Sequence, residues 1–310
     1  MDIFKYINQK SAFRNMSDDE FQTFLPDFTT ALCNFGFDNM IQFYNSTLKD
    51  IHHDWQNLVE KKVDQNYISA TSVVGTSIIK TYMTHLYDVQ NHKGMSIRKA
   101  WTYDSLMKAI QVNRKTHETP YASEIIRQLG FTCGMSKVTV YRPLLTKRIV
   151  QYFGANEVLD VCVGWGGRML GACCVDGCHY TGIEPHSITH AKLVSMKKDL
   201  DLTTATLHHG TAETILPSLE RKYDLALTSP PYYNLEIYSD EDTQSHHYGS
   251  YKQWVQAFLK PVILAVLSKL VDGGKSLWSV KNIKTDKAYG PQLQQKRRSQ
   301  QTFSIRFKNS

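Results

Sequence analysis

Apolar residues return at helical spacing through the first 115 or so positions; from residue 157 onward they gather into short continuous runs. The first pattern predicts helices. In SDDEFQTFL, Ser17 and Glu20 stand three apart as a capping box before apolar positions that share one face. FDNMIQFYNSTLKDI and YDSLMKAIQVN keep the same period, and the aromatic residues here, Trp55 and Trp101 among them, read as core. THETPYASEIIRQLG predicts a helix with Thr119 as cap, Pro120 in the first turn and Gly130 just past the end. YRPLLTKRIVQYFG predicts another from Pro143 to Gly154.

The second pattern predicts strands. EVLDVCV (157–163), YTGIEP, TTATLHHG, YDLALTSPP and KSLWSVKN are apolar runs ended by Gly, Pro, Asp or Asn, with helical stretches between them. Such alternation specifies an α/β fold, a doubly wound and mostly parallel sheet, whose ligands bind at the carboxyl ends of the strands. The expected organisation is a helical N-terminal region over 1–115 and an α/β domain over 116–310.

Composition narrows the class. A chain of 310 residues, 42% hydrophobic, can bury a sizeable core. No apolar run approaches the roughly 20 residues that cross a bilayer. The start, MDIFKYINQKSAFRN, carries no signal-peptide pattern, so an intracellular protein with no membrane partner is expected. The six cysteines are too few and too unevenly placed for a disulfide scaffold. Cys174, Cys178 and His179 lack paired CxxC spacing and read as core, with no metal expected. The formal charge of +7 suits a polyanionic partner without requiring one. The densest basic cluster, KRRSQ from Lys296, reads as a solvated tail.

Candidate chemistry lies where the strands end. The first strand closes on Asp160, and the turn after it holds Gly164, Gly166 and Gly167, which let backbone pass close to a ligand. Glu184 closes the second strand 20 residues after Gly164, where an acidic side chain can take both hydroxyls of a ribose. An adenosine-containing cofactor follows. The dinucleotide fingerprint G-x-G-x-x-G fails at Met169, and GxxxxGK[ST] is absent. The fourth strand ends in TSPPYY, where Pro230 and Pro231 stop the strand in a stiff, carbonyl-rich turn.

VLDVCVGWGG, YTGIEP and TSPPYY together resemble the cofactor and catalytic motifs of the S-adenosylmethionine-dependent DNA amino-methyltransferases, which modify exocyclic amines of DNA bases. VYRPLLTKRIVQYF is similar to the helix that precedes the glycine motif in that family. The match covers about residues 137–282, and Ser-Pro-Pro-Tyr is its most specific part. The resemblance implies a Rossmann-like methyltransferase sheet, S-adenosylmethionine as cofactor, DNA as partner and an activity of the restriction-modification kind. It sets Asp160, Gly164 and Gly166 against the methionine portion, Glu184 on the ribose, and Arg142 and Pro143 in the preceding helix motif. Many relatives carry an acidic residue after the third strand's glycine to meet the adenine; here Thr211 stands there.

By the same resemblance, Ser229 Oγ and the Pro230 carbonyl, stiffened by Pro231, accept from the target amine while Tyr232 stacks on the base. A base amine is a poor nucleophile because its lone pair is delocalised, and acceptors favour the tetrahedral nitrogen that attacks. Ring-carbon methylation would need a cysteine after proline, and none of the nine prolines is followed by one. Serine at the first motif position leans toward N4 of cytosine, with N6 of adenine second. Related Pro-Pro-Tyr turns methylate RNA bases or glutamine amides in proteins, and a degenerate DNA-binding relative is the non-enzymatic alternative. NLEIYSDEDTQSHHYGSYKQW reads as a lid, with His246 and His247 on its surface. The helical region over 1–115 would assist target recognition. This fold normally ends in a strand hairpin, for which QTFSIRF supplies one strand and YGPQLQQKRRSQ is a poor partner.

Overall fold

The computed structural model describes residues 1–9, 11–63, 71–116, 118–134 and 138–280, together with the backbone of 302–307. The chain divides into two compact units that interleave in sequence. One comprises Met1–His53, Ser77–Val140 and Asn234–Asp240; the other comprises Asp54–Thr76, Tyr141–Tyr233 and Glu241–Ser310. The KRRSQ cluster, the YGPQLQQ stretch and Asn282 lie outside the described residues.

The first unit is helical. Its elements are α1 (Phe4–Ile7), α2 (Asp18–Phe35), α3 (Phe37–Ser46), α6 (Tyr103–Thr116) and α7 (Ala122–Thr132); α4 (Ile51–Glu60) and α5 (Thr76–Tyr82) span its sequence boundaries. Ser17 caps α2 as the sequence indicates: its Oγ accepts from Glu20 N at 3.2 Å, and Glu20 Oε2 accepts from Ser17 N at 2.7 Å. Phe13, Phe28, Leu32, Met40 and Leu106 fill the core, with Phe24 stacked on Phe28 at 4.9 Å. Trp101 packs edge-on against Phe37 and donates to the Leu32 carbonyl.

Two helix ends depart from the sequence expectation. The apolar stretch after Phe37 is two helices, because Asp50 Oδ1 accepts from the backbone N–H groups of His52 and His53, both at 3.0 Å, and starts α4 afresh. α7 begins after Tyr121 rather than at Thr119, and Gly130 lies inside it, since the helix runs on to Thr132. A Cβ at Gly130 would meet Ile97 at an ordinary contact distance of 3.4 Å, so this glycine neither ends the helix nor is required by packing.

The second unit is the α/β sheet. Its strands are β1 (Glu157–Asp160), β2 (His179–Glu184), β3 (Ala205–His209), β4 (Tyr223–Thr228), β5 (Leu270–Val280) and β6 (Thr302–Phe307). They lie in the order β3-β2-β1-β4-β5-β6, with β1 to β5 parallel and β6 antiparallel to β5 from Lys275↔Phe307 to Val280↔Thr302. The doubly wound, mostly parallel α/β sheet is therefore present, closed on one edge by the strand expected from QTFSIRF. Helices α8 (Pro143–Phe153), α9 (Gly167–Cys173), α10 (Ser187–Asp199), α11 (Ala212–Ile215), α12 (Tyr251–Trp254) and α13 (Lys260–Lys269) connect or flank the strands.

Strand order reverses between β1 and β4, and in such sheets ligands bind at the carboxyl ends of the strands at that point. One core cluster packs Leu159, Ile183, Leu216 and Tyr223 against Trp254, Phe258, Val262 and Val266. Elsewhere α8 and α9 meet backbone to backbone: a Cβ at Gly171 would lie 2.2 Å from the Pro143 carbonyl. Buried Lys147 of α8 donates to the carbonyls of Leu58, Val59 and Lys61 and so caps the end of α4. Among the described residues no helix is long and apolar enough to cross a membrane, and no group of three or more His, Cys, Asp or Glu could hold a metal ion. Cys174 and Cys178 are buried, and burial pushes each thiol up to about 12.

Candidate active site

Asp160 ends β1 with no solvent exposure and accepts from four donors. Arg168 Nε and Tyr180 OH reach Oδ2, each at 2.7 Å, while Thr228 Oγ1 at 2.8 Å and Cys162 N at 3.3 Å reach Oδ1. β1 is shorter than the apolar run 157–163, although Val163 N still donates to the Ile183 carbonyl of β2 at 3.1 Å. Arg168 also donates to the carbonyls of Cys162 and Val163, and its guanidinium lies 5.0 Å from the Tyr141 ring centroid. The Asp160 carboxylate holds the Arg168 guanidinium in its charged form against the effect of burial. Sequence reading overlooked Arg168. Its signal was an arginine in the first turn after the glycines, where a long side chain reaches back to the strand end.

The glycine turn is built around left-handed backbone. Gly164 has φ +59° and open space where a Cβ would be, so this part of the turn can accept a ligand at close range. Gly166 has φ +84°, and a Cβ there would stand 2.7 Å from Leu193 of α10. Both its conformation and its packing require glycine. Glu184, at the end of β2, is 6% exposed; its Oε2 accepts from Gly164 N at 2.8 Å and its Oε1 from His186 N at 2.9 Å. Burial pushes this carboxyl up to about 7, opposed by the two backbone donors, which favour its charged form.

The remaining cofactor candidates border the same unit. Pro143 opens α8 in the first turn, and Arg142 stands at its N-cap position, its carbonyl accepting from Leu145 N. Thr211 begins α11, with Oγ1 3.1 Å from Thr214 Oγ1. Gly210 N donates to the Glu184 carbonyl, which ties the end of β3 to that of β2.

The Ser-Pro-Pro-Tyr turn leaves β4 directly after Thr228. Ser229 Oγ lies 3.2 Å and Tyr232 OH 3.3 Å from the Ser279 carbonyl of β5, and the two hydroxyls are 3.3 Å apart. Tyr233 follows at φ +56°, a left-handed conformation that tyrosine rarely adopts. Its carbonyl accepts from Ser245 Oγ at 2.5 Å, and its ring packs against Tyr251 and Trp254. The turn is thus fixed on both sides of Tyr232. Ser279 and Tyr233 were not singled out from the sequence, because neither has chemistry of its own to announce it.

Beyond the turn the chain is ordered in pieces. Residues 234–240 belong to the helical unit, where Ile237 and Gln90 exchange backbone hydrogen bonds of 2.8 and 2.9 Å. Glu241 accepts from Ser187 N at the start of α10. Ser245–Tyr248 form one 3₁₀ turn, in which the rings of His246 and His247 lie 4.0 Å apart and Tyr248 OH donates to Glu213 at 2.5 Å.

No family model matches the chain, and no curated protein matches it. Solved structures do show a likeness. TrmN from Thermus thermophilus is 16% identical, with 44% of this chain and 37% of that chain covered, at a TM-score of 0.35. The O-methyltransferase TomG from Streptomyces achromogenes, in complex with SAM, is 14% identical over 57% of this chain and 65% of its own, also at 0.35. NSun6 from Pyrococcus horikoshii, solved with SFG, is 20% identical over 43% and 35%, at 0.34. The chain spans between about a third and two thirds of the length of these structures.

Proposed function

We propose that the chain is an S-adenosylmethionine-dependent methyltransferase acting on the exocyclic amine of a DNA base, N4 of cytosine before N6 of adenine. The observation that carries this reading is the Ser-Pro-Pro-Tyr turn at the switch point of the sheet, with both of its hydroxyls set on the Ser279 carbonyl. A second group of residues fits the cofactor. The open face of Gly164 suits the methionine portion, and Glu184, with two of its lone pairs taken by backbone N–H groups, retains others for ribose hydroxyls.

When bound, S-adenosylmethionine supplies an electrophilic sulfonium methyl. Ser229 Oγ and the Pro230 carbonyl accept from the target NH₂, which directs the nitrogen lone pair out of the ring plane. The rigid turn holds that lone pair in line with the methyl carbon. Tyr232 offers its face to the base, and the methylated nitrogen releases its proton to water. Residues 116–310 supply this chemistry, and residues 1–115 assist recognition of the target. Binding to DNA draws on the +7 charge and weakens steeply with salt.

The test uses methyl-labelled S-adenosylmethionine with DNA, RNA and protein acceptors in one series, the labelled product being identified by mass spectrometry. N4-methylcytosine in DNA is expected. Label in protein alone overturns the proposal.

A further inference from the structure

Residues 241–250 are fastened at three points, all within the α/β unit. Glu241 Oε1 and Oε2 each lie 3.3 Å from Ser187 N, Ser245 Oγ donates to the Tyr233 carbonyl at 2.5 Å, and Tyr248 OH donates to Glu213 Oε1 at 2.5 Å. Each anchor stands just past the carboxyl end of a different strand. Ser187 comes three residues after β2 ends, Glu213 four after β3 and Tyr233 five after β4. The segment is thus a strap tied to the strand ends that carry Glu184 and the catalytic turn.

What fastens the strap is polar. Its sequence, EDTQSHHYGS, holds no Ala, Val, Leu, Ile or Met, and the Tyr248 ring, 6.1 Å from that of Phe258, is its phenolic contact with the core. A segment held by hydrogen bonds and little apolar surface lifts without disturbing the packing beneath it. Burial and the Glu213 carboxylate push the Tyr248 phenol up, so it keeps the hydrogen it donates. Glu213 Oε2, by contrast, is sealed from solvent and has no donor among the described residues. A buried carboxylate oxygen without a donor carries a desolvation cost, which water relieves once Tyr248 moves away. The clasp therefore holds the strap down against a force that favours release.

We propose that this strap gates the cofactor site, lifting at the Tyr248–Glu213 clasp to let S-adenosylmethionine in and S-adenosylhomocysteine out. This inference rests on the cofactor site proposed above. Glu184 is 6% exposed with the strap fastened, so a ribose reaches its carboxylate only when a cover moves. The segment read from sequence as a lid beside the target base is then a gate for the cofactor. Because the clasp closes the site whether or not it is filled, loosening it speeds entry and exit alike and leaves affinity unchanged.

Tyr248→Phe removes the hydroxyl and keeps the ring on Phe258, and Glu213→Ala removes the other half of the clasp. Association and dissociation of S-adenosylhomocysteine are followed by stopped-flow tryptophan fluorescence, and its Kd by calorimetry. Tyr248→Phe should raise both rates about tenfold, the scale of one hydrogen bond to a charged group, with Kd unchanged. Glu213→Ala should act in the same direction. The double variant should exchange no faster than the faster single one, since both break one contact. If Glu213→Ala does not fold, Glu241→Ala takes its place, loosening the strap at Ser187 and raising both rates by less. Parental rates in the folded variants overturn the inference. A weaker Kd with an unchanged association rate makes these residues ligand contacts and overturns it equally. If the parent binds no S-adenosylhomocysteine, the cofactor reading itself fails and the inference falls with it.

Discussion

β1 and β4 are neighbours in the sheet, and their carboxyl ends differ in what they leave over. At the end of β1, Asp160 is wholly buried and four internal donors occupy its oxygens. At the end of β4, the half-buried Ser229 and Tyr232 share one carbonyl and keep free lone pairs. Thr228 joins the two, since the last residue of β4 donates to Asp160 immediately before the turn begins. The contrast teaches how a reactive turn is held: the saturated centre fixes the backbone, and capacity for hydrogen bonding is left only where a ligand arrives. A carboxylate resembling a ligand group in sequence is here a strut for the groups beside it.

Breaking the saturated end should have the largest effect. Arg168→Met leaves Asp160 buried with its charge uncompensated and should cost about 3–5 kcal/mol of stability. Arg168→Lys keeps the charge but loses the fork to the Cys162 and Val163 carbonyls, so it should recover only part of that. Denaturant unfolding measures both; a parental midpoint for Arg168→Met would mean that Asp160 does not depend on its ion pair.

Glu184 lies between the two extremes, buried like Asp160 yet with acceptors to spare. Its carboxyl ionises near 4.5 when unfolded and at about 7 when folded. Its contribution to stability is therefore whole below about pH 4.5 and is lost as pH rises through 7. From the difference of the two values this loss is on the order of 3 kcal/mol, and Glu184→Gln should flatten that part of the stability profile. Affinity for S-adenosylmethionine should move the other way, rising from pH 6 to 8 as the carboxylate forms. Glu184→Ala should weaken cofactor binding by about 1.5–3 kcal/mol. Titration calorimetry across that pH range checks both; a flat affinity in the parent would separate Glu184 from the ribose.

Changes at the open end should leave the fold and the cofactor untouched. Tyr232→Ala removes a stacking face worth about 1–3 kcal/mol and should weaken capture of the target base. Ser229→Ala should slow single-turnover methylation more than it weakens DNA binding, because its acceptor matters most as the amine changes geometry. Parental methylation by both variants would reduce Ser-Pro-Pro-Tyr to the end of a strand.

Legibility followed the range of the interaction. The capping box at Ser17, the helix from Pro143 toward Gly154 and the five parallel strands arise from neighbours a few residues apart, and all were readable as pattern. Gly164 and the double proline were readable for the same reason, since φ and the missing N–H are properties of the residue itself. Gly130 misled, because a glycine inside a helix looks in sequence like one that ends it.

By itself the sequence determined which segments become strands and helices, where glycine and proline punctuate them, and that acidic and hydroxyl groups stand at the strand ends. The tertiary structure alone decided which of those groups keep free hydrogen-bonding capacity. Asp160 is closed by residues as far away as Thr228, and Ser229 is anchored by Ser279, 50 residues on. The Tyr141 hydroxyl is buried with no hydrogen-bond partner among the described residues, its ring packed on the Arg168 guanidinium. Periodic burial and turn chemistry act along the chain, whereas the partner of a buried polar group is chosen by whatever the packed sheet brings within 3 Å.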